Sequence, residues 1–444
     1  MGDLLGGAGV AAGVDVVGHT YRVNPGEGHF YFGFESGRIA RSLVEGHGYG
    51  NPFNGFSGPT AWIPPLYPLL LAAGFKLFGV YSKGAALFVM AWDSVFSAAI
   101  APAVYEIAAR CFDARGIARR GSKRVAPVAL WAGWMWAVYP AALQYAVHWL
   151  LEMSLAAMLF AWICVLALRL RQGVASREQG VENGSDVRTW VGFGVLWGLL
   201  MLTNAALMLC LPAMLVWIGS AGSREQGVGS RAARLRGVVV GSLVSCVVCG
   251  VVMLPWVIRN ERALHAFVPT RSNAGVELYE STLEEHDGFP WGTTMPLWPG
   301  APEFKEYVRM GEVPFARMMQ ARGIARIEAR PGRFVHWTVQ RFFFFWDGTP
   351  HPVEKHPSQE YLRQLSYCFL SACGLLGLGL MLKRRVEGAG LFALVFALLP
   401  VPYYLITVQP RFRHPMEPLI AVLAVYLFRS ADTTRVWSGA LWKR

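Results

Sequence analysis

The sequence predicts an all-α polytopic membrane protein: a helical bundle with outer-face loops and a small extracytoplasmic region. Three observations carry this reading. Hydrophobic residues make up 54% of the 444-residue chain and charged residues only 16%, where a soluble domain typically carries roughly 25% charged. Several apolar runs are long enough to cross about 30 Å of hydrocarbon as helices. The basic side chains gather in the short segments between those runs. Together these exclude a disordered chain, a coiled coil and most cytosolic enzymes. The net charge of +12 is not clustered on a soluble face, so no nucleic-acid partner is expected.

In chain order the runs lie at 87–109, 126–147, 149–168, 189–203, 205–219, 237–257, 361–382, 389–408 and 414–429. The pair flanking Asn204 is short, and reads as two tilted spans or as a re-entrant hairpin. Pro64, Pro65, Pro68 and Lys76 interrupt the run at 61–82, which reads as an interfacial or re-entrant helix on the outer face. Orientation follows from the segments 110–125, 169–188, 224–236, 383–385 and 429–444, which hold 21 of the 41 Lys and Arg. By the positive-inside rule all five are cytoplasmic. The parity of the spans then puts both 259–360 and the N-terminal part outside.

The chain divides accordingly. Residues 1–60 form a first extracytoplasmic loop with interfacial helices, and 61–258 form a transmembrane helical region. An extracytoplasmic loop or domain follows at 259–360, then C-terminal transmembrane helices at 361–429 and a cytoplasmic tail at 430–444. This is a multi-pass protein of the plasma (inner) membrane, with its active site facing outward among membrane lipids. Leu4–Val17 is short, Gly-rich and lacks a basic n-region, so it is not a leader, and a truncated chain start is the expectation.

Weaker signals are set aside. Cys246 and Cys249 have CxxC spacing inside an apolar run, with no second pair to complete a zinc site. The hexapeptide SREQGV occurs at 176–181 and 223–228 and reads as loop sequence. GGAGVAAG (6–13) follows no predicted strand and lacks the Lys-Ser/Thr of a phosphate loop. The groups Glu284–Asp287 and His351, Glu354, His356 have metal-ligand types without fixed helical spacing, and read as solvated loop. The run RFFFFW at 341–346 reads as an aromatic belt at the membrane surface.

An outward-facing membrane enzyme has no ATP or nucleotide sugar to hand, so a lipid-linked phosphate donor suits it. Such a donor calls for a carboxylate base, cations for its phosphate, and an apolar groove for its tail. The carboxylate candidates are Glu35, in an amphipathic segment with Arg38 and Arg41 beyond it, and Glu152, at the outer edge of a span. For Glu35 the plain alternative is an i,i+3 surface ion pair with Arg38; for Glu152 it is an interfacial pair with His148. Glu106 is expected to pair with Arg110, and Asp93 is a further intramembrane acid. Arg411, Arg413 and His414 stand in the turn QPRFRHP at the outer start of the last span. Two Arg there can hold a phosphate bidentately, and interfacial snorkelling is the alternative.

The runs ESGRIARSLVEGHGYGNPF and GPTAWIPPLYPLLLAAGFKLFG resemble the first outer loop of the GT-C glycosyltransferases. The nearest branch is that of protein mannosyltransferases and the aminoarabinose transferase of lipid A. WLLEMSLAAMLF, GVLWGLLMLTNAALML and PRFRHPMEPLIAVLA are similar to the same group in the same order, from about residue 30 to 430. The resemblance implies a GT-C-like helical bundle and inverting transfer of a sugar from a polyprenyl-phosphate donor to a lipid, glycan or protein acceptor. It implies Glu35 as general base with Glu45 in reserve, and Glu152 as a second carboxylate shaping the site. It implies Arg38, Arg411, Arg413, His414 and Asn204 on the substrate side. One departure stands out: the family's Asp-Glu doublet falls where this chain has Tyr31 and Phe32, so Glu35 lies about one helical turn along. No cofactor is required, though a divalent cation is compatible with Glu35 and Glu152. A flippase for lipid-linked sugars would show mid-span charges and symmetry between halves, neither of which the sequence displays. A non-catalytic membrane scaffold binding a partner through 259–360 is the other alternative.

Overall fold

The computed structural model describes residues 32–112, 127–147, 150–177, 187–221, 228–283, 297–348 and 357–431. Leu4–Val17, GGAGVAAG, His148, the groups Glu284–Asp287 and His351–His356, and most of both SREQGV copies lie outside them. Among the described residues the chain is helical, with one isolated bridge between Gly50 and Pro59 and no named strand.

The described part of the segment before the first long span forms two short helices. α1 (Phe34–Val44) buries Ile39 and Ala40 on one face, and α2 (Leu66–Phe78) packs against it. At 13 residues α2 is about 20 Å long, short of the hydrocarbon thickness, as an interfacial or re-entrant helix should be. Among the described residues four helices are long and apolar enough to cross a membrane: α3 (Lys83–Phe112), the span Met153–Ala175 of α6 (Met153–Arg177), the span Leu235–Leu264 of α9 (Val228–Leu264), and the span Tyr361–Lys383 of α14 (Pro357–Lys383).

The remaining apolar runs break into shorter pieces, and the breaks have local causes. The run at 126–147 is not one helix but α4 (Pro127–Ala137) and α5 (Pro140–Val147), because Pro140 has no N–H to continue the first. α7 (Val187–Met201) stops before Asn204, whose side chain accepts from Ala206 N at 3.1 Å and caps a 3₁₀ turn, Ala205–Leu209, leading into α8 (Cys210–Gly219). Pro400 and Pro402 split the run at 389–408 into α15 (Ala389–Leu398) and α16 (Val401–Leu405). The last helix, α17 (Glu417–Ala431), follows a 3₁₀ turn at Pro410–Met416.

α3, α4, α6 and α17 pack on one another at the centre of the bundle. Leu419–Leu423 are at most 1% exposed, so the last helix is a core helix. Pro102 lies inside α3 and disturbs the hydrogen-bond ladder around it. Carbonyls on either side of Ala98, whose ladder partner Pro102 removes, accept from indoles: Trp136 Nε1 donates to Ser97 O at 2.9 Å and Trp162 Nε1 to Ala99 O at 3.1 Å. α7 meets α9 through Gly194, where a Cβ would come within 2.5 Å of Ser245 O. Close small-residue contacts of this kind are how membrane helices gain dispersion energy without a hydrophobic driving force. The opposite side of α9, with Val239, Val240, Leu243, Val247, Val251 and Leu254 exposed, is the side for lipid.

The 259–360 region is a set of helices rather than a plain loop. α10 (Ala274–Glu280), α11 (Pro302–Met310), α12 (Glu312–Ala329) and α13 (Pro331–Asp347) follow the extended end of α9. α10 lies on α12 with Gly275 against Ala316 O, at 2.3 Å from a notional Cβ. The RFFFFW run, expected as a belt, is the last third of α13. Arg341, Phe345 and Trp346 face inward and Phe342 and Phe343 face outward.

Candidate active site

Two polar clamps fix the first outer loop against this helical region. Glu312, 3% exposed, opens α12 and accepts from the Thr60 hydroxyl, from Ala61 N at 2.6 Å, from Ser272 Oγ at 2.6 Å and from Tyr307 OH at 2.8 Å. Arg259, near the outer end of α9, donates to Thr60 O at 2.5 Å and to Tyr49 O, and lies over the Tyr49 and Trp256 rings. Within the loop Asn51 takes a left-handed φ of 55°. Its Oδ1 accepts from Ser57 N and Gly58 N at 2.8 and 2.9 Å, closing the loop across six and seven residues. α1 is thereby held beside α2, α10 and the outer end of the bundle.

Glu35 lies in the first turn of α1, half-buried. Arg38 does not pair with it: its guanidinium donates to Pro52 O at 3.2 Å. Among the described residues Glu35 has no hydrogen-bond or ion-pair partner. Glu45 makes an exposed 2.7 Å ion pair with Arg41, which leaves it on the surface and out of reserve. Glu106 pairs with Arg110 at 3.0 Å, as the i,i+4 spacing predicts.

Glu152 sits in the turn immediately before α6 rather than within the span. Burial pushes its carboxyl up from the ordinary carboxylate range; Arg411 pulls it back down most, Arg271 pulls less, and Glu35 adds a small upward push. Glu277 in α10 is likewise pushed up by burial and pulled down by Arg271, with Glu35 raising and Arg411 lowering it. These mutual influences bring five side chains from four distant parts of the chain into one electrostatic group: Glu35, Glu152, Glu277, Arg271 and Arg411. Asp93 lies beneath them, fully buried and accepting from Tyr67 OH at 2.8 Å.

Arg271 and Glu277 are new relative to the sequence reading. Arg271 Nη2 lies 3.4 Å from Glu277 Oε1, and Asn273, 1% exposed, bridges the pair, accepting from Arg271 Nε and donating to Glu277 at 3.0 Å. The available signal was the polar run RSNAGVE placed just after a span. It was lost in a region whose 12 basic and 13 acidic residues balance.

The basic turn is divided in two. α6 packs against Pro410–Met416, bringing Arg411 to Glu152. Arg411 has a buried Nε without a hydrogen-bond partner and lies over the Phe412 ring. Arg413 and His414 turn the other way, which corrects the expectation of an arginine pair on one phosphate. Arg413 is 1% exposed, 3.5 Å from Glu417, 2.5 Å from Ser371 Oγ and stacked over Tyr367 at 3.3 Å. His414 is fully buried, with Nδ1 2.7 Å from Glu417 Oε2 and its ring on Tyr145 and Trp136. Residues two apart do not share a face of a helical turn: at three residues per turn they point about 120° apart around its axis. Asn204 is occupied as a helix cap. Among the described residues no group of three or more His, Cys, Asp or Glu stands close enough to hold a metal ion.

This arrangement can accept a proton at a carboxylate without an ion-pair partner and neutralise an anion between two arginines from different elements. No known protein-family profile matches the chain, and no curated protein sequence does. Among solved structures it is similar to the oligosaccharyltransferase of Archaeoglobus fulgidus. The apo form aligns at a TM-score of 0.52 and 13% identity over 98% of this chain and 51% of that one. The complex with an inhibitory peptide and a dolichol-phosphate aligns at 0.52 and 15% over 96% and 50%. ArnT from Cupriavidus metallidurans bound to undecaprenyl phosphate aligns over 97% of this chain at a TM-score of 0.35 and 15% identity. The chain spans about half the length of the archaeal enzyme. At these identities the likeness is one of fold: the chain has the all-α GT-C-type membrane fold.

Proposed function

We propose that the protein is an integral membrane glycosyltransferase, moving a sugar from a polyprenyl-phosphate donor to an acceptor on the extracytoplasmic face with inversion. The observation that carries this is that Arg411, Arg271 and Glu35 all act electrostatically on Glu152 and Glu277, with Arg271 and Glu277 paired at 3.4 Å among them. Glu35 is the general base. It takes the acceptor's proton as the acceptor oxygen or nitrogen attacks the anomeric carbon. The bond from that carbon to the phosphate oxygen breaks through an oxocarbenium-like transition state. The leaving polyprenyl phosphate takes the electron pair, and Arg411 and Arg271 stabilise it by charge-assisted hydrogen bonds. A phosphate leaves without a general acid, so one base is enough. Glu152 and Glu277 hold the two arginines in place until the donor arrives.

The resemblance in the first outer loop and the shared fold support the same class of chemistry, and the oligosaccharyltransferase complex carries a dolichol-phosphate. Transfer of radiolabelled sugar from a mixed pool of polyprenyl-phosphate donors in proteoliposomes tests the reading. The native chain should label an acceptor, and Glu35→Gln should lose at least about 10²-fold in kcat, the usual contribution of a general base. Transfer surviving Glu35→Gln would move the base to Glu152. Label that crosses the bilayer without joining an acceptor would replace the transferase with a flippase.

A further inference from the structure

α13 carries a face that the bundle does not cover. Val335 (60% exposed), Val339 (50%), Phe342 (45%) and Phe343 (55%) recur at helical spacing and occupy an arc of about 100° on the helix surface. Trp337, Arg341 and Phe345, on the other side, are at most 4% exposed. Arg341 fixes this orientation by donating to Leu405 O at 3.2 Å and to Ser281 O at 2.5 Å. The helix therefore presents its bare apolar stripe by construction.

Two features identify what covers it. The first is continuity with the surface of the spans. α13 packs on α14 and α16, with Phe342 against the Tyr404 ring at 5.2 Å and Trp346 Nε1 donating to Tyr404 OH at 2.9 Å. Leu362, Leu365 and Phe369, in the outer half of the α14 span, are exposed as well. The second is charge. α12, which runs into α13 with only Arg330 between them, exposes Arg317, Arg322 and Arg326, with Arg330 exposed at the junction, Glu328 the exposed acid among them and Glu306 of α11 3.6 Å from Arg322. A helix with an apolar face and a basic flank lies in the plane of a membrane surface and favours anionic headgroups.

We infer that the α12–α13 hairpin is an interfacial anchor that docks on anionic lipid of the outer leaflet, with Val335, Val339, Phe342 and Phe343 among the acyl chains and the α12 arginines on the headgroups. The inference does not depend on the chemistry proposed for the carboxylate site. It has a consequence for that site's geometry: α10, bearing Glu277, is packed on α12 and tied through Ser281 to Arg341, so the anchor sets the height of α10 above the bilayer.

The test uses the full chain reconstituted in phosphatidylcholine alone or mixed with phosphatidylglycerol. A phospholipid with a photoactivatable acyl chain is crosslinked and the adducts are mapped by mass spectrometry. Adducts should fall on 335–343 and increase several-fold when phosphatidylglycerol is present. Arg317→Gln, Arg322→Gln and Arg326→Gln combined should remove that increase, and Phe343→Asp should remove the adducts themselves. Labelling confined to the spans in both lipids would overturn the anchor. Adducts on α13 that do not respond to phosphatidylglycerol, or that respond equally in the triple variant, would overturn its preference for anionic lipid. Hydrogen exchange of 331–347 in the native chain needs no variant. Equal protection in detergent without phospholipid and in bilayers would overturn the proposal, as would a soluble protein partner that alone protects this face.

Discussion

At the residue scale the backbone before the site carboxylates is strained. Phe34, immediately before Glu35, has φ 46°, and Leu150, two residues before Glu152, has φ 45°. The left-handed region costs a bulky L-residue roughly 1–2 kcal/mol. Phe34 is 38% exposed, so little packing is lost on removing it. Phe34→Gly should leave the melting temperature unchanged or raise it by a few degrees, while lowering kcat by freeing the start of α1 and with it Glu35. A fall in melting temperature together with unchanged kcat would show that the strain is not used. The paired carboxylates give a second expectation. Burial raises Glu152 and Glu277 above the ordinary range of about 4.3, so each keeps its proton to a higher pH than a free carboxylate. Below that pH both are neutral; as pH rises through the raised values, each adds a negative charge facing the donor phosphate. The donor KM should therefore increase with pH across this window, and Glu152→Gln should flatten the rise. A donor KM that falls with pH would contradict the arrangement.

At the scale of elements, the turn Pro410–Met416 separates two arginines that stand two residues apart. Arg413→Ala leaves the fully buried Glu417 with His414 alone, 2.7 Å away, and losing one partner of a buried ion pair costs up to about 3–5 kcal/mol. Thermal unfolding should show that loss, whereas Arg411→Ala should leave the unfolding temperature near native and raise the donor KM at least tenfold. The reverse pattern would exchange their roles. This turn also marks the limit of what could be read beforehand. Glu35, Glu152 and Arg411 were legible, because ionisable groups at the edge of apolar runs stand out against their surroundings. The divergent directions of Arg411 and Arg413 were not, because the proline-flanked segment Pro410–Met416 reads as an irregular turn in the sequence and is a helical turn in the structure. Arg271 and Glu277 were hidden for another reason. They reach the site through contacts of α10 with α12 and of Ser272 with Ala61 and Glu312, pairings that no local period announces.

For the whole molecule the helical bundle followed from hydropathy, while the breaks of 126–147 at Pro140 and of 389–408 at Pro400 and Pro402 did not, nor did the order of the 259–360 helices, since their mixed composition resembles solvated loop. Orientation is open to direct measurement. Arg262 lies near the outer end of α9 and Lys383 at the end of α14. Single cysteines at these positions, Arg262→Cys and Lys383→Cys, should react with an impermeant maleimide only from the outside and only after permeabilisation, respectively, above the labelling of the native chain. Labelling of both from one side would overturn the positive-inside assignment and, with it, an outward-facing site.

The clamps on the first outer loop have a consequence of another kind. Arg259 grips the carbonyls of Tyr49 and Thr60, and Glu312 takes the N–H of Ala61. Both address peptide groups, which every residue type supplies. Between these fixed points Asn54 and Phe56 are exposed and Gly55 has a positive φ. The tip of the loop is thus an exchangeable cassette: its side chains can be rewritten while the frame on either side keeps its grip.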